Sequence, residues 1–123
     1  MGNDSLETLG LIVRQPPWQG RSGRDQLDLA MAAASMDVRL ELFFVGDGLL
    51  QLVAGRQPGA AGLPAAANAW TALHELGPVR FMAEAGPLEA MRASGMAFGV
   101  EVEPLSSTDM RARQRDCDRL LVA

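Results

Sequence analysis

Residues 40–48 read Leu40-Glu41-Leu42-Phe43-Phe44-Val45-Gly46-Asp47-Gly48, an apolar run that stops at two glycines. A short run of large apolar side chains bounded by a turn signal predicts a buried strand over 40–45. The glycines permit the positive φ of a sharp turn, and a short helix is predicted over 49–53. We expect Asp47 to cap that helical turn through its side chain.

Similar strands and helices are predicted on both sides of this run. Strands are predicted over 8–14, 79–83, 98–102 and 119–122. Helices are predicted over 24–36, 65–76 and 87–94. A last helix is predicted to begin at the cap residues 106–109 and to end at 115. Connections of this length allow right-handed crossovers between parallel strands. The predicted fold class is therefore α/β, a three-layer α/β/α sandwich with a mostly parallel five-stranded sheet of flavodoxin-like appearance. Residues 1–7 are expected to be a short polar extension, and 8–123 a single domain.

Composition excludes several classes of protein. The net charge of −4 argues against direct nucleic-acid binding by counterion release. No lysine is present, which excludes a Walker-type phosphate loop. No apolar stretch is long enough to cross a membrane, and the polar start is unlike a signal peptide, so we expect a cytoplasmic protein. One cysteine and one histidine give no support to a disulfide framework, a metal site or a bound cofactor.

The loop after the first predicted strand contains candidate site residues, because ligands approach the carboxyl ends of parallel strands. Arg21 and Arg24 could hold an anion at the start of the first helix, or they could be solvated surface cations. Trp18 in the same loop is a candidate for a protein interface, since tryptophan buries a large area; it could also fold back onto the sheet edge.

Cys117 is predicted to lie between the last helix and the last strand. Its acidic neighbours Asp116 and Asp118 would raise the pKa of the thiol, whereas Arg115 and Arg119 would lower it. We interpret it as a structural cysteine. The segment 83–87 after the third strand, Ala-Glu-Ala-Gly-Pro, contains no nucleophile, and the single histidine, His74, is expected on the surface of its helix.

Three segments resemble the TusC/DsrF branch of the DsrE/DsrF sulfur-relay family. The first runs from Val13 through the 16–20 loop into Gly23-Arg24-Asp25-Gln26-Leu27-Asp28. The second, the most specific, is the apolar strand followed by Asp47-Gly48-Leu49-Leu50-Gln51-Leu52, continued by 55–58. The third comprises Pro104-Leu105 and the end at 118–121. Together they cover nearly the whole chain.

The resemblance implies a subunit of a heteromeric complex that relays persulfide sulfur, either for 2-thiolation of tRNA uridine or for sulfur oxidation. In the family the sulfur-carrying cysteine belongs to the DsrE/TusD-like subunit, in the loop after the third strand. This chain has no cysteine there, so the resemblance implies a non-catalytic, TusC-like subunit that is not itself an enzyme. Its expected partners are DsrE/TusD-like and DsrH/TusB-like subunits, or further copies of itself. Trp18 and the segment containing Leu49, Leu50 and Leu52 are the candidate interface residues, with ordinary core as the alternative for the leucines.

Two other functions remain open on the sequence. The chain could be a sulfur carrier that uses Cys117. It could also be a small flavodoxin-like module that binds an anion or nucleotide through Arg21 and Arg24, although fold alone says little about function.

Overall fold

The computed structural model describes residues 6–16, 22–53 and 70–122, with the side chains of the first helix described from residue 26 onward. Strands and helices alternate along this part of the chain. The strands are β1 (Thr8–Val13), β2 (Arg39–Phe44), β3 (Val79–Glu84), β4 (Glu103–Leu105) and β5 (Arg119–Val122), and the α-helices are α1 (Ser22–Ala34), α2 (Ala85–Ala93) and α3 (Ser107–Asp116). Two 3₁₀ helices span Gly46–Leu52 and Ala72–Glu75.

The strands form one five-stranded sheet in the order β4-β3-β2-β1-β5. Every neighbouring pair in that order is parallel. At the centre of the sheet, Val13 of β1 is level with Phe44 of β2, which is level with Ala83 of β3. The predicted parallel five-stranded α/β fold is confirmed.

Helices cover both faces of the sheet, but unequally. The major face packs against α1, helix 46–52, Trp70 and α2, and it contains most of the buried apolar side chains. The minor face packs against α3 and has a smaller core. The minor-face core consists of Phe43, Met82, Leu105 and Met110, with Ile12 and Cys117 packed beside it. This arrangement is the predicted three-layer sandwich.

The fourth strand lies later in the chain than the sequence predicts. Residues 98–102 were expected to form it, yet β4 is Glu103–Leu105 and pairs with β3. Phe98 instead forms an isolated antiparallel bridge with Val53 and packs, with Val100, against the major-face core. The apolar side chains of this run are buried by packing rather than by strand pairing, which the sequence pattern does not distinguish.

Other predicted elements are close to their observed bounds. The cap predicted at residues 106–109 is present, since the Asp109 backbone N–H donates to Ser106 Oγ at 3.0 Å. The helix predicted over 65–76 falls partly outside the described residues; its described end passes into the 3₁₀ turn Ala72–Glu75.

Candidate functional site

The ends of β1, β2 and β3 meet at one edge of the sheet, the carboxyl edge, because the strands are parallel and in register. β3 ends at the half-buried Glu84, and α2 begins directly after it at Ala85. Gly86 and Pro87, in the first turn of α2, are exposed. The surface at this position therefore presents small side chains and backbone after Glu84, with no thiol that could carry sulfur.

Helix 46–52 lies on the carboxyl edge beside β1. Gly46 has a φ of +52°, as its place in a sharp turn predicts. Gly48 lies so close to the end of β1 that a Cβ atom there would be 2.1 Å from the Val13 carbonyl oxygen. The Val45 backbone N–H also donates to that oxygen, at 3.0 Å. Backbone contacts thus join the end of β1 to the turn after β2.

The prediction for Asp47 was wrong. The 3₁₀ helix begins at Gly46, its cap residue is Val45, and no side chain makes a capping hydrogen bond. Asp47 is an exposed residue in the first turn, because the helix starts earlier than the sequence indicated.

The three candidate interface leucines differ in exposure. Leu49 and Leu52 are fully buried members of the major-face core, which favours the alternative that their side chains stabilise the subunit. Leu50, between them, is only partly buried. An interface role within this segment stays a prediction, and Leu50 is the side chain best placed for it.

The predicted loop residues fall outside what the structure describes. Trp18 and Arg21 lie in the undescribed segment 17–21, and Arg24 is described only as a backbone position of α1. Their proposed roles in an interface and in anion binding stay predictions.

A buried polar network under the carboxyl edge was missed by the sequence reasoning. Trp70 Nε1 donates to Gln51 Oε1 at 2.9 Å. Gln51 Nε2 donates to the Gln15 carbonyl oxygen at 2.8 Å and to Gln26 Oε1 at 3.1 Å. An indole N–H can only donate, so it determines the orientation of the Gln51 amide and, through it, that of Gln26.

This network joins segments distant in sequence. Gln26 and Gln51 are each 2 % exposed, and Trp70 is fully buried with its ring edge-on to Phe44. Gln26 Nε2 has no acceptor among the residues that the structure describes. The sequence offered one clue, a glutamine inside the apolar segment 49–53, where a polar side chain needs a buried partner.

Cys117 lies near the opposite end of the sheet. It follows α3 and precedes β5, and the next residue, Asp118, donates its backbone N–H to the Thr8 carbonyl oxygen at the start of β1. The thiol can donate to the Arg113 carbonyl oxygen at 3.4 Å, and Glu41 Oε1 is 4.0 Å from the sulfur. The only cysteine of the chain thus lies towards the start of β1 and away from the carboxyl edge.

The surroundings of Cys117 oppose ionisation of the thiol. The pKa of Cys117 is raised from 9.0 to about 11, mainly by burial and next by the negative charge of Glu41. Arg113 acts in the opposite direction but is outweighed, and Asp118 and Asp116 make smaller contributions to the rise. The expected rise is present, but burial and Glu41, which is distant in sequence, are its largest causes.

Charged side chains around the cysteine pair with one another. Arg113 bridges Glu41 at 3.4 Å and Glu103 at 3.9 Å. Glu103 also pairs with Arg80 across the β3–β4 edge. Because Arg113 and Arg80 already have carboxylate partners, these two cations offer little attraction to an external anion.

A shallow groove of about 510 Å³ lies beside the single histidine. His74 is exposed, as expected, and its ring is tilted against Phe81 with the centroids 5.3 Å apart. The charged groups in the groove include the Arg80–Glu103 pair, which is already neutralised. Within the described ranges, the histidine, cysteine and acidic residues nowhere gather in threes as a metal site requires.

No helix in the described part of the chain has the length and apolarity needed to cross a membrane.

Curated relatives match part of the chain. The TusC homolog of Pseudomonas aeruginosa is 40 % identical over 52 residues, 42 % of this chain and 44 % of that protein. The TusC homolog of Aliivibrio fischeri is 34 % identical over 53 residues, 43 % of this chain and 45 % of that protein. TusC of Klebsiella pneumoniae is 33 % identical over 55 residues, which are 45 % of this chain and 46 % of that protein. The chain thus spans less than half the length of each of these relatives.

The whole fold has a counterpart among solved structures. The crystal structure of the ychN protein from E. coli superposes with a TM-score of 0.74 over 96 % of this chain and 100 % of that one, at 17 % sequence identity. At this identity the likeness shows the fold. The model of the DsrE/DsrF-like family matches residues 8–123, and the chain therefore belongs to that family.

Proposed function

We propose that this chain is a non-catalytic, TusC-like subunit of a sulfur-relay complex and that it supports persulfide transfer by its partners. Family membership and the TusC names of the matched relatives support a place in sulfur relay. The relay would serve tRNA 2-thiouridine synthesis or sulfur oxidation, in the cytoplasm.

The observation that carries the proposal is the position and ionisation of Cys117. A sulfur carrier needs a thiolate that a donor can reach, because the thiolate is the nucleophile. The Cys117 thiol lies on the minor face over Gly10, away from the surface after β3, and its pKa is raised to about 11. Against an ordinary thiol with a pKa of 9.0, this lowers the thiolate fraction at neutral pH by about a hundredfold.

The surface after β3 supports the same role. The family resemblance implies a sulfur-carrying cysteine in this loop of the DsrE/TusD-like subunit, whereas this chain has Ala85, Gly86 and Pro87 there. Small side chains can pack against a neighbouring subunit and help to enclose its reactive thiolate. The expected partners are a DsrE/TusD-like subunit, which supplies that thiolate, and a DsrH/TusB-like subunit, or further copies of this chain.

Sulfur loading followed by intact-mass measurement tests the proposal. The chain is co-expressed with its neighbouring family subunits, and the complex is incubated with cysteine and a cysteine desulfurase. We expect a mass gain of one sulfur on the DsrE/TusD-like partner and none on this chain. The Cys117→Ser complex should assemble and load its partner to the same extent.

The carrier alternative predicts the reverse. A sulfur added to this chain and abolished by Cys117→Ser would overturn the proposal. Loss of loading on the partner in an intact Cys117→Ser complex would do so as well, because it would give the thiol a direct role.

A further inference from the structure

The two edges of the sheet are built differently. At the β4 edge, Pro104 lacks a backbone N–H and the Arg80–Glu103 ion pair covers the strand with charge. Prolines and charged side chains are the usual means by which a sheet edge avoids pairing with another strand. At the β5 edge, three consecutive apolar residues are exposed: Leu120 at 40 %, Leu121 at 40 % and Val122 at 57 %.

Among the residues that the structure describes, β5 pairs with β1 on one side and with no strand on the other. The Asp118 N–H donates towards β1, to the Thr8 carbonyl oxygen at 2.9 Å. Because backbone groups alternate in direction along a strand, the N–H groups of Leu120 and Val122 also face β1, and those of Arg119 and Leu121 face outward. Open N–H and C=O groups on a sheet edge are complementary to another β-strand.

We infer that β5 pairs with β5 of a second copy of this chain, antiparallel, with Leu121 opposite Leu121 at a two-fold axis. A two-fold axis perpendicular to the sheet keeps the minor faces of both copies on the same side. With Leu121 opposite Leu121, Leu120 of each copy lies opposite Val122 of the other. The outward N–H and C=O of the two Leu121 residues then form a hydrogen-bonded pair. The result is one continuous ten-stranded sheet.

Side-chain positions suit this register. A Cβ on Gly10 would lie 2.8 Å from Leu120 Cδ1 and 3.2 Å from Phe43, so Leu120 is on the minor face. Val122 is level with Ile12, which also packs on that face. Pairing therefore places Leu120 and Val122 of both copies in one apolar strip flanked by the two Ile12 side chains. Stable interfaces bury about 800 Å² per partner, which is more than the four residues of β5 alone would bury. The apolar strip adds to the area that the pairing buries.

Repulsion between the two Arg119 side chains favours the antiparallel arrangement over the parallel one. Arg119, which pairs with Glu7 at 3.7 Å, is the charged residue of β5. In the antiparallel register the two Arg119 residues are four steps apart, about 13 Å along the strand, which exceeds the screening length at physiological salt. A parallel arrangement would set them side by side. The strand is thus self-complementary in one orientation.

Pairing through β5 names one contact surface of the assembly, and the existence of that assembly rests on the proposed function. The purified full chain is examined without partners by sedimentation velocity and light scattering. We expect a dimer, and Leu121→Pro should raise its dissociation constant by about tenfold or more, because the outward N–H is removed while pairing with β1 is kept. Leu120→Pro, which removes an inward N–H, is the matched control and should lower the unfolding midpoint.

A charge exchange tests the register independently of the proline variant. Leu120→Lys and Val122→Glu should each weaken the dimer, and the double variant should restore it, because residue 120 of one copy faces residue 122 of the other. A monomeric wild type at high micromolar concentration, or a dimer that none of these variants changes, would overturn the inference. Neither result bears on sulfur loading, so the proposed function would stand or fall by its own experiment.

Discussion

Cys117 packs directly over Gly10. A Cβ atom built on Gly10 would lie 2.7 Å from the Cys117 sulfur and 2.8 Å from Leu120 Cδ1. The absent side chain in β1 therefore makes room for the thiol and for the first apolar residue of β5.

Gly10→Ala should destabilise the protein by about 1–3 kcal/mol, because overpacking forces neighbouring side chains from their positions. Urea denaturation measures the change. Removing the sulfur with Cys117→Ala should make Gly10→Ala less costly, so the double variant should be more stable than the sum of the single effects predicts. Strict additivity would show that the sulfur is not what opposes the added methyl group.

Alkaline pH should destabilise the protein through Cys117. Below pH 9 the thiol is neutral in both states, so its contribution to stability is fully present. Between pH 9 and about 11 the unfolded chain loses the thiol proton while the folded chain keeps it, and stability falls. The chain has no lysine and no tyrosine, so no other side chain titrates in this range.

Urea midpoints of wild type and Cys117→Ala, measured from pH 8 to 11, would test this expectation. The wild-type midpoint should decline above pH 9 relative to that of the variant. Parallel curves across the whole range would contradict the raised pKa.

Gln51→Met should destabilise the protein by about 2–4 kcal/mol, since similar volume is kept while the Trp70 indole N–H loses its buried acceptor. The Gln15 carbonyl oxygen loses its donor at the same time. Adding Trp70→Phe should cost less in this background than in the wild type, because the orphaned donor is removed. Equal costs in both backgrounds, measured by urea denaturation, would show that the hydrogen bond contributes nothing.

Gly48→Ala should be the most damaging of these changes, about 3 kcal/mol or more, because the new Cβ meets the backbone of Val13 and not a movable side chain. Gly86→Ala is the matched control: it lies in α2, and nothing is within 4 Å of a Cβ there. That control should leave stability unchanged or raise it by about 0.5–1 kcal/mol. Thermal unfolding compares the two, and similar midpoints would contradict the close approach at Gly48.

Most of the fold was accessible from the sequence because the strands are short apolar runs bounded by turns. The run over 40–45 predicted β2 at Arg39–Phe44, and the polar residues before α3 predicted its cap at Ser106. The prediction of a strand over 98–102 was wrong because the apolar side chains of this run pack against the major face without joining the sheet. Local pattern indicates burial but not the kind of burial.

The site was less accessible because its contacts join distant segments. Gln51 meets Gln26 across 25 positions and Trp70 across 19, and Glu41 approaches Cys117 across 76. No local spacing indicates such pairs. The sequence did predict the direction of the Cys117 pKa from its acidic neighbours, but the main cause, burial by α3 and β1, requires the fold.

The contacts that join the end of β1 to helix 46–52 affect how a partner can dock on the carboxyl edge. The Val45 N–H, the close approach of Gly48 and the Gln51 side chain all meet backbone between Val13 and Gln15. The backbone from Val13 to Gln15 is therefore held against helix 46–52. A protein that docks on this part of the carboxyl edge has little backbone to order there, so its association loses less conformational entropy than docking on two independent segments would.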